Sequence, residues 1–267
     1  VSVFSFSLSH AAADILWEDL DLGSRPFPLE FPYFGDTMDQ REGIRRAVHR
    51  DLESRGLARR GRVVPEVEEA LKLVVRGDYQ VDAFAGLDPR NYDHQLLARG
   101  GAARDVAALA VMDDRQIKVD LIRAPALLHA LVSLVPPAPP GPGHSVTVPL
   151  PQQPEAKPVQ RREEDYDSAT FTRAVASRAG GNPQMRLLES LFSRPRLRVG
   201  RYGLAVRGRN GKPVKAPEVS WFDTDQGRYM MQSRPGQDGQ RWMTAAPADS
   251  GRIAMQLGQD LNFLLNS

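Results

Sequence analysis

The sequence predicts an α+β fold in which one helix-and-sheet unit occurs twice, and three observations carry that reading. Residues 67–135 and 184–265 run through one order of signals: helix, strand, strand, an acidic turn, strand, Ala-Pro, helix. The opening helices carry similar apolar stripes, Val67, Ala70, Leu71 and Val74 in one copy and Met185, Leu188 and Leu191 in the other, closed by Arg76 and Arg194. The acidic turns (Asp113-Asp114, Asp223-Thr224-Asp225) and the Ala-Pro steps (Ala124-Pro125, Ala246-Pro247) recur in matching order. A period of about 120 residues is too long for a solenoid and marks an internal duplication. Such a scaffold suits holding a partner better than turning over a substrate.

Val3 to Ser9 alternates apolar and polar, which predicts a short strand with one wet face. Ser9 can cap a helix over about 10–20 with Ala13, Leu16, Trp17 and Leu20 on one side. Gly23 ends it, and Pro26, Pro28 and Pro32 keep the next stretch extended. Thr37 caps a second helix to about residue 55, with the stripe Ile44, Val48, Leu52 and a stop at Gly56. Pro65 opens a third helix at the position where its missing N–H costs nothing. Val81–Leu87 reads as a strand, and Asp88, Pro89, Asn91 and Asp93 as a loop. Arg104–Met112 and Gln116–Ile122 flank Asp113-Asp114 as a hairpin, and Leu128, Leu131, Val132 and Val135 space a closing helix.

From Pro136 to Pro158 there are nine prolines, which hold an extended backbone and deny it ladder donors. Ser145–Val148 is the one strand-like island, and Pro149 to about Asp165 reads as a surface linker. The division is therefore residues 1–135, a Pro-rich bridge at 136–166, and residues 167–267, together one globular unit. In the second half Ala169–Arg178 and Met185–Phe192 read as helices split by Gly180-Gly181-Asn182-Pro183. Arg196–Arg207 reads as a long strand whose apolar parity switches between Val199 and Tyr202, which predicts a β-bulge near Gly200. Asn210-Gly211 signals a hairpin. Val219–Phe222 and Arg228–Gln232 pair across the 223–227 turn, and Arg241–Ala245 is the last strand. Ile253, Leu257, Leu261, Leu264 and Leu265 line the final helix, with Asp249 in its first turn.

Composition bounds the function. The 267 residues can bury a full core, and 41% hydrophobic with 25% charged content is ordinary for a globular protein. Net charge is +2, so no strong long-range field steers a partner. The basic residues are 30 Arg against 5 Lys, a skew that codon composition explains better than nucleic-acid binding. Zero cysteines exclude disulfides, thiolate catalysis and cysteine-ligated zinc. Residues 1–13 lack a basic n-region and meet Asp14, Glu18 and Asp19, which argues against a secretion signal. No apolar run is long enough to span a membrane, so the expectation is a cytoplasmic protein.

Local signals for chemistry are weak. Asp223-Thr224-Asp225-Gln226-Gly227 resembles half a calcium loop, but Gly227 and Arg234 stand where ligands belong. It reads instead as a hairpin turn with short acidic side chains accepting backbone N–H bonds. The five histidines (His10, His49, His94, His129, His144) form no zinc pattern, and His129 reads as a partly buried structural residue. No nucleophile elbow, phosphate loop or dinucleotide fingerprint occurs, so no catalytic, cofactor or metal residue is assigned. Arg194 to Lys215 carries eight basic residues and no acid, an RNA-binding hairpin on one reading and a solvated strand face on the other. Trp221, Phe222, Tyr229, Met230, Met231, Trp242 and Met243 are of types enriched at protein interfaces. Two readings stay open for them: a partner surface, or a sheet covered on both faces by the protein's own helices.

Four blocks resemble the EspG family of secretion-associated chaperones of type VII (ESX) systems. They are Leu16-Trp17-Glu18-Asp19-Leu20-x-Leu22-Gly23-x-Arg25-Pro26, Arg55-Gly56-Leu57 with Pro65-Glu66-Val67-Glu68-Glu69-Ala70-Leu71, Pro136-Pro137-Ala138-Pro139-Pro140-Gly141-Pro142-Gly143-x-Ser145-Val146-x-Val148-Pro149, and Val219-Ser220-Trp221-Phe222-Asp223-Thr224-Asp225-x-Gly227-Arg228-Tyr229. The resemblance covers nearly the whole chain. It implies two quasi-symmetric halves sharing a central antiparallel sheet flanked by helical bundles. It implies a non-enzymatic cytosolic chaperone that covers the apolar helical tip of the PPE protein in a PE–PPE heterodimer and directs the pair for export. The chaperone is expected as a monomer or weak homodimer, without cofactor, with a secretion-machinery component as a further partner. The family's partner surface maps onto the loop Leu87–His94, the strands around Trp221–Met231 and the helix Pro247–Leu265. The residues this assigns are Leu87, Asp88, Arg90, Asn91, Tyr92, His94, Trp221, Asp225, Tyr229, Met231, Gln256, Asp260 and Phe263. The runner-up is an RNA-binding protein using the 194–215 hairpin.

Overall fold

The computed structural model describes residues 3–91, 93–150, 183–236 and 239–267. The first half runs β1 (Phe4–Ser9), α1 (His10–Asp19), α2 (Met38–Ser54), the small pair β2 (Ala58–Arg59) and β3 (Arg62–Val63), and α3 (Pro65–Arg76). It continues with β4 (Tyr79–Gly86), β5 (Gln95–Ala103), β6 (Val106–Met112), β7 (Gln116–Arg123) and α4 (Leu127–Val132). The second half runs β8 (Val146–Pro149), α5 (Pro183–Phe192), β9 (Arg198–Arg207), β10 (Pro213–Lys215), β11 (Val219–Thr224), β12 (Gly227–Pro235), β13 (Arg241–Pro247) and α6 (Ser250–Leu265). The expected helix Ala169–Arg178 and most of the expected linker lie outside the described residues.

Helix starts follow the expected chemistry. Ser9 accepts from the Ala12 N–H, Thr37 from Gln40 N–H, and Pro65 sits in the first turn of α3. Ala246-Pro247 does not start the last helix but ends β13; Asp249 is the cap, accepting from Arg252 N–H.

Among the described residues eleven strands form one antiparallel sheet in the order β1-β7-β6-β5-β4-β9-β11-β12-β13-β8, with β10 also on β9. Read outward from the β4–β9 pair, the two sides match: β5 with β11, β6 with β12, β7 with β13, β1 with β8. The strand-like island in the Pro-rich stretch is thus the outer strand of the second half, as β1 is of the first.

Two expectations are corrected by this register. β5 was not foreseen, because Gln95–Ala103 is rich in Gly and Ala and lacks a β-branched pattern. Its small residues are needed by close neighbours: a Cβ on Gly101 would stand 1.9 Å from the Leu73 carbonyl oxygen of α3, and one on Gly100 2.5 Å from Leu127 Cδ1 of α4. With β5 in place, the turn 113–115 joins β6 to β7 whereas 225–226 joins β11 to β12, so the two acidic turns are not equivalent positions. Nor does β9 bulge at Gly200. It pairs with β4 without interruption from Tyr79↔Val206 to Gly86↔Val199. The extra residue lies on the neighbouring strand, where Ala216-Pro217-Glu218 faces Gly203-Leu204 between Lys215↔Ala205 and Val219↔Tyr202.

Both sheet faces carry apolar cores. On one, α4 and α6 cover Val81, Ala83, Ala85, Tyr202, Leu204 and Trp221 with Leu127, Leu131, Ile253 and Leu257. On the other, α1 to α3 cover the first half through Phe6, Leu8, Val67, Leu71 and Val119, and α5 covers β8 and its neighbours through Leu188, Phe192, Phe222 and Met243. Asp14, buried in α1, ties down the chain that follows: it pairs with Arg41 and with Arg25 at 2.5 Å and accepts from Phe34 N–H at 2.9 Å.

The Pro-rich strap is fastened to the turn after β11. Arg228, fully buried, donates to Asp223 through Nε (2.7 Å) and Nη2 (3.0 Å), and its Nη2 also reaches the Pro136 carbonyl at 2.8 Å. Its backbone N–H donates to Pro139 and its carbonyl accepts from Gly141. Tyr229 lies where a Gly141 side chain would be, 2.1 Å from the ideal Cβ, and its hydroxyl donates to the Pro142 carbonyl at 3.0 Å. Two of the resembling blocks are therefore halves of one contact.

Candidate partner-binding face

Alternation on the two central strands sets up the site. Val81, Ala83 and Ala85 of β4 and Tyr202, Leu204 and Val206 of β9 point to the face under α4 and α6. Gln80, Asp82, Phe84, Val199, Arg201 and Gly203 point to the other. There the helices pack over the flanks, α3 on β5 and β6 and α5 on β8, leaving the middle of the sheet partly open. The parity switch in β9 has its explanation here: Leu197 and Val199, 47% and 41% exposed, lie on this open side. Register places Leu97, Phe84, Arg201, Ser220 and Met231 in one row across five strands. The Arg201 guanidinium stacks on Phe27, 4.6 Å from its centroid, and pairs with Glu218 at 2.6 Å. One pair along, Asp82 lies between Arg99 and Gly203.

The expected loop adjoins this face. Leu87 is half-buried and its N–H donates to His94 O at 2.9 Å; Asp88 accepts from Arg90 N–H and Asn91 from Asp93 N–H. Arg90, Asn91 and His94 are exposed, and Tyr92 is outside the described residues. Because Gly86, Val199 and Phe222 share a row, the loop, Leu197 and the turn bearing Asp225 lie at one end of the sheet. Asp225 is exposed and pairs with Arg194 at 3.3 Å. Met231 is half-buried on the open side.

Other assigned residues are interior. Trp221, 2% exposed, stacks on Tyr202 under α4 and α6 with the Arg228 guanidinium 4.5 Å from its ring, and Tyr229 is sealed by the strap. Asp260 is buried and accepts from Gln232 at 2.6 Å, from Gln256 at 3.2 Å and from Arg234. Burial denies these three a partner's contact. Gln256 is half-buried and Phe263 is 71% exposed, but α6 packs on the sheet face opposite Leu197 and Val199. The structure therefore groups the loop, Asp225 and Met231 and sets Gln256, Asp260 and Phe263 apart. The second of the two open readings, cover by the protein's own elements, holds for Trp221, Phe222, Tyr229 and Met243, while Met231, half-buried, packs at the edge of the cluster under α5.

The remaining motifs are accounted for. In the basic run, Arg194, Arg198 and Arg201 pair with Asp225, Asp223 and Glu218. Arg196 lies over Phe192 and Phe222, and Arg207 donates to the Arg76 carbonyl. This breaks the basic stripe that an RNA backbone would need. In the second acidic turn it is Thr224 that accepts from Gln226 N–H, while Asp223 holds Arg228. Asp113 accepts from Arg115 and Gln116 N–H groups, which hold its carboxyl below the ordinary value. His129 is exposed rather than partly buried. Among the described residues no three His, Cys, Asp or Glu cluster as a metal site, and no helix is long and apolar enough to cross a membrane.

The fold defines a pseudo-symmetric α+β protein with a partly open sheet face at its central seam. The sequence profile of the EspG family matches residues 9–259, and the chain belongs to that family. No curated protein matches it. Among solved structures it is similar to the type VII secretion system chaperone EspG5 of Mycobacterium tuberculosis, determined in complex with the PE25–PPE41 dimer: TM-score 0.67, 14% identity, 97% of this chain and 96% of that chain covered. That likeness bears out the expected fold class.

Proposed function

We propose that this protein is a cytosolic type VII secretion chaperone that binds a PE–PPE heterodimer through the open central face, covers the apolar helical tip of the PPE protein and works by capture rather than catalysis. Membership of the EspG family carries the reading, and EspG5, which has this fold, is a chaperone whose structure was determined in complex with such a dimer. The face supplies the physics. Leu197 and Val199 are exposed apolar residues beside a loop whose Arg90, Asn91 and His94 are free to form a polar rim. Rim charges set partner choice more than affinity. Co-expression with PE–PPE pairs tests the reading: a co-purifying trimer that persists at rising salt is expected, since apolar capture resists salt whereas RNA binding falls steeply with it. Failure to retain any PE–PPE pair, or retention of RNA instead, overturns it.

A further inference from the structure

The floor of the open face holds a carboxylate with no hydrogen-bond donor among the described residues. Asp82 sits midway along β4, and the cation facing it, Arg99 Nη1, is 3.8 Å away, beyond hydrogen-bond reach. Arg99 spends its donors elsewhere, on the carbonyls of Val74 (3.0 Å) and Phe27 (3.1 Å) and on Gln80 Oε1 (3.1 Å). On the other side Gly203 makes room: a Cβ there would stand 2.7 Å from Asp82 Oδ1. The side chain keeps 21% exposure, so it can be reached from solvent. Burial pushes its carboxyl above the ordinary value, against the pull of Arg99 and Arg201. A protein that covers this face strips the carboxylate of the water its 21% exposure admits, and an acceptor buried without a donor is destabilising. A donor arriving from outside would remove that cost.

We propose that Asp82 is a specificity-determining residue of the partner face, accepting a hydrogen bond from an uncharged amide or hydroxyl group of the bound protein. This rests on the binding function proposed above and names the chemistry at the centre of that face. The donor is uncharged because Arg99, Arg201 and Lys215 act on Asp82 against a single further carboxylate, Glu218, so an incoming cation would meet three like charges. It is set among apolar groups because Phe84 and Leu97 lie one residue pair away, about 7 Å along the strands, with Val199 and Leu197 beyond.

The full chain, as wild type, Asp82→Val and Asp82→Asn, is titrated with a purified PE–PPE heterodimer, and each form is melted alone. Asp82→Val is expected to weaken binding about 10- to 100-fold, the range for a hydrogen bond to a charged group. Asp82→Asn retains an acceptor oxygen but loses the charge, and is expected to weaken binding by about half as much in log units, roughly 3- to 10-fold. Both variants are expected to melt no lower than wild type. Equal binding by Asp82→Val overturns the inference alone. So does a loss for Asp82→Asn as large as for Asp82→Val, which marks a cationic donor, or a lowered melting temperature for Asp82→Val, which marks a structural carboxylate. A wild-type chain that retains no PE–PPE dimer overturns the functional reading and this inference with it.

Discussion

Replacing Arg228 by alanine tests how the strap is held. The guanidinium is fully buried, makes two bonds to the buried Asp223, one to the Pro136 carbonyl and one to Ser250 Oγ at 3.3 Å, and lies 4.5 Å from the Trp221 ring centroid. Removing one partner of a buried pair costs about 3–5 kcal/mol, because the other charge is left uncompensated. Here Arg198 Nη1 remains 3.3 Å from Asp223, so the lower part of that range, about 3–4 kcal/mol, is expected. Unfolding entropy of about 2.1 cal/mol/K per residue over 267 residues is roughly 0.56 kcal/mol/K, giving a fall in Tm of about 5–7 °C. Urea unfolding and thermal melts followed by circular dichroism measure it. The double change Arg228→Met with Asp223→Leu removes both charges and is expected to recover most of the loss. A fall in Tm under about 2 °C for Arg228→Ala would refute the claim that this pair anchors the strap.

Leu197→Arg and Val199→Lys alter exposed side chains and are expected to change stability by no more than about 0.5 kcal/mol while abolishing co-purification of a PE–PPE dimer; a pull-down alongside a melt separates the two effects. Gly101→Ala forces a methyl against the Leu73 carbonyl, with no flexible side-chain end to yield, and is expected to cost about 1–3 kcal/mol in urea unfolding. Acid titration should destabilise the fold through Glu18 and Asp113. Hydrogen bonds from Arg41 and Arg45 lower the first, and backbone N–H groups of Arg115 and Gln116 lower the second, beneath ordinary values of 4.5 and 3.8. Their contribution is complete above those values and is lost as pH falls through the lower folded ones. Asp82, raised by burial, has the opposite sign, so Asp82→Asn should steepen the acid loss seen in Tm against pH.

Helix caps and stripes could be read directly, since Ser9, Thr37 and Pro65 act within a few residues of themselves. β5 could not, because Gly100 and Gly101 are small for reasons that lie in α3 and α4, about 25 residues away in sequence. Missing it displaced the comparison of the halves by one hairpin. Residue type left Trp221 and Tyr229 open between surface and core, and the family resemblance assigned them to the partner surface by motif position; composition cannot say which face of a sheet a helix will cover. The signals for Leu197 and Val199 were present as the parity switch in β9 and were explained by a bulge instead. Asp82 was also visible, as a charge in the alternation Val81, Ala83, Ala85, but its lack of a donor depends on where Arg99 and Arg201 turn.

The seam between β4 and β9 carries one more implication. Two separate half-length chains meeting there would form a rotational dimer in which the same strand faces itself. Every residue on one side of the dyad would recur on the other, so an acid in one half would be matched by an acid in its partner. Covalent fusion lifts the restriction: Asp82 can stand against Gly203, a charge against an empty place. Joining the halves thus allows the middle of the molecule to become lopsided, and lopsidedness lets a surface grip a non-symmetric guest in a single orientation.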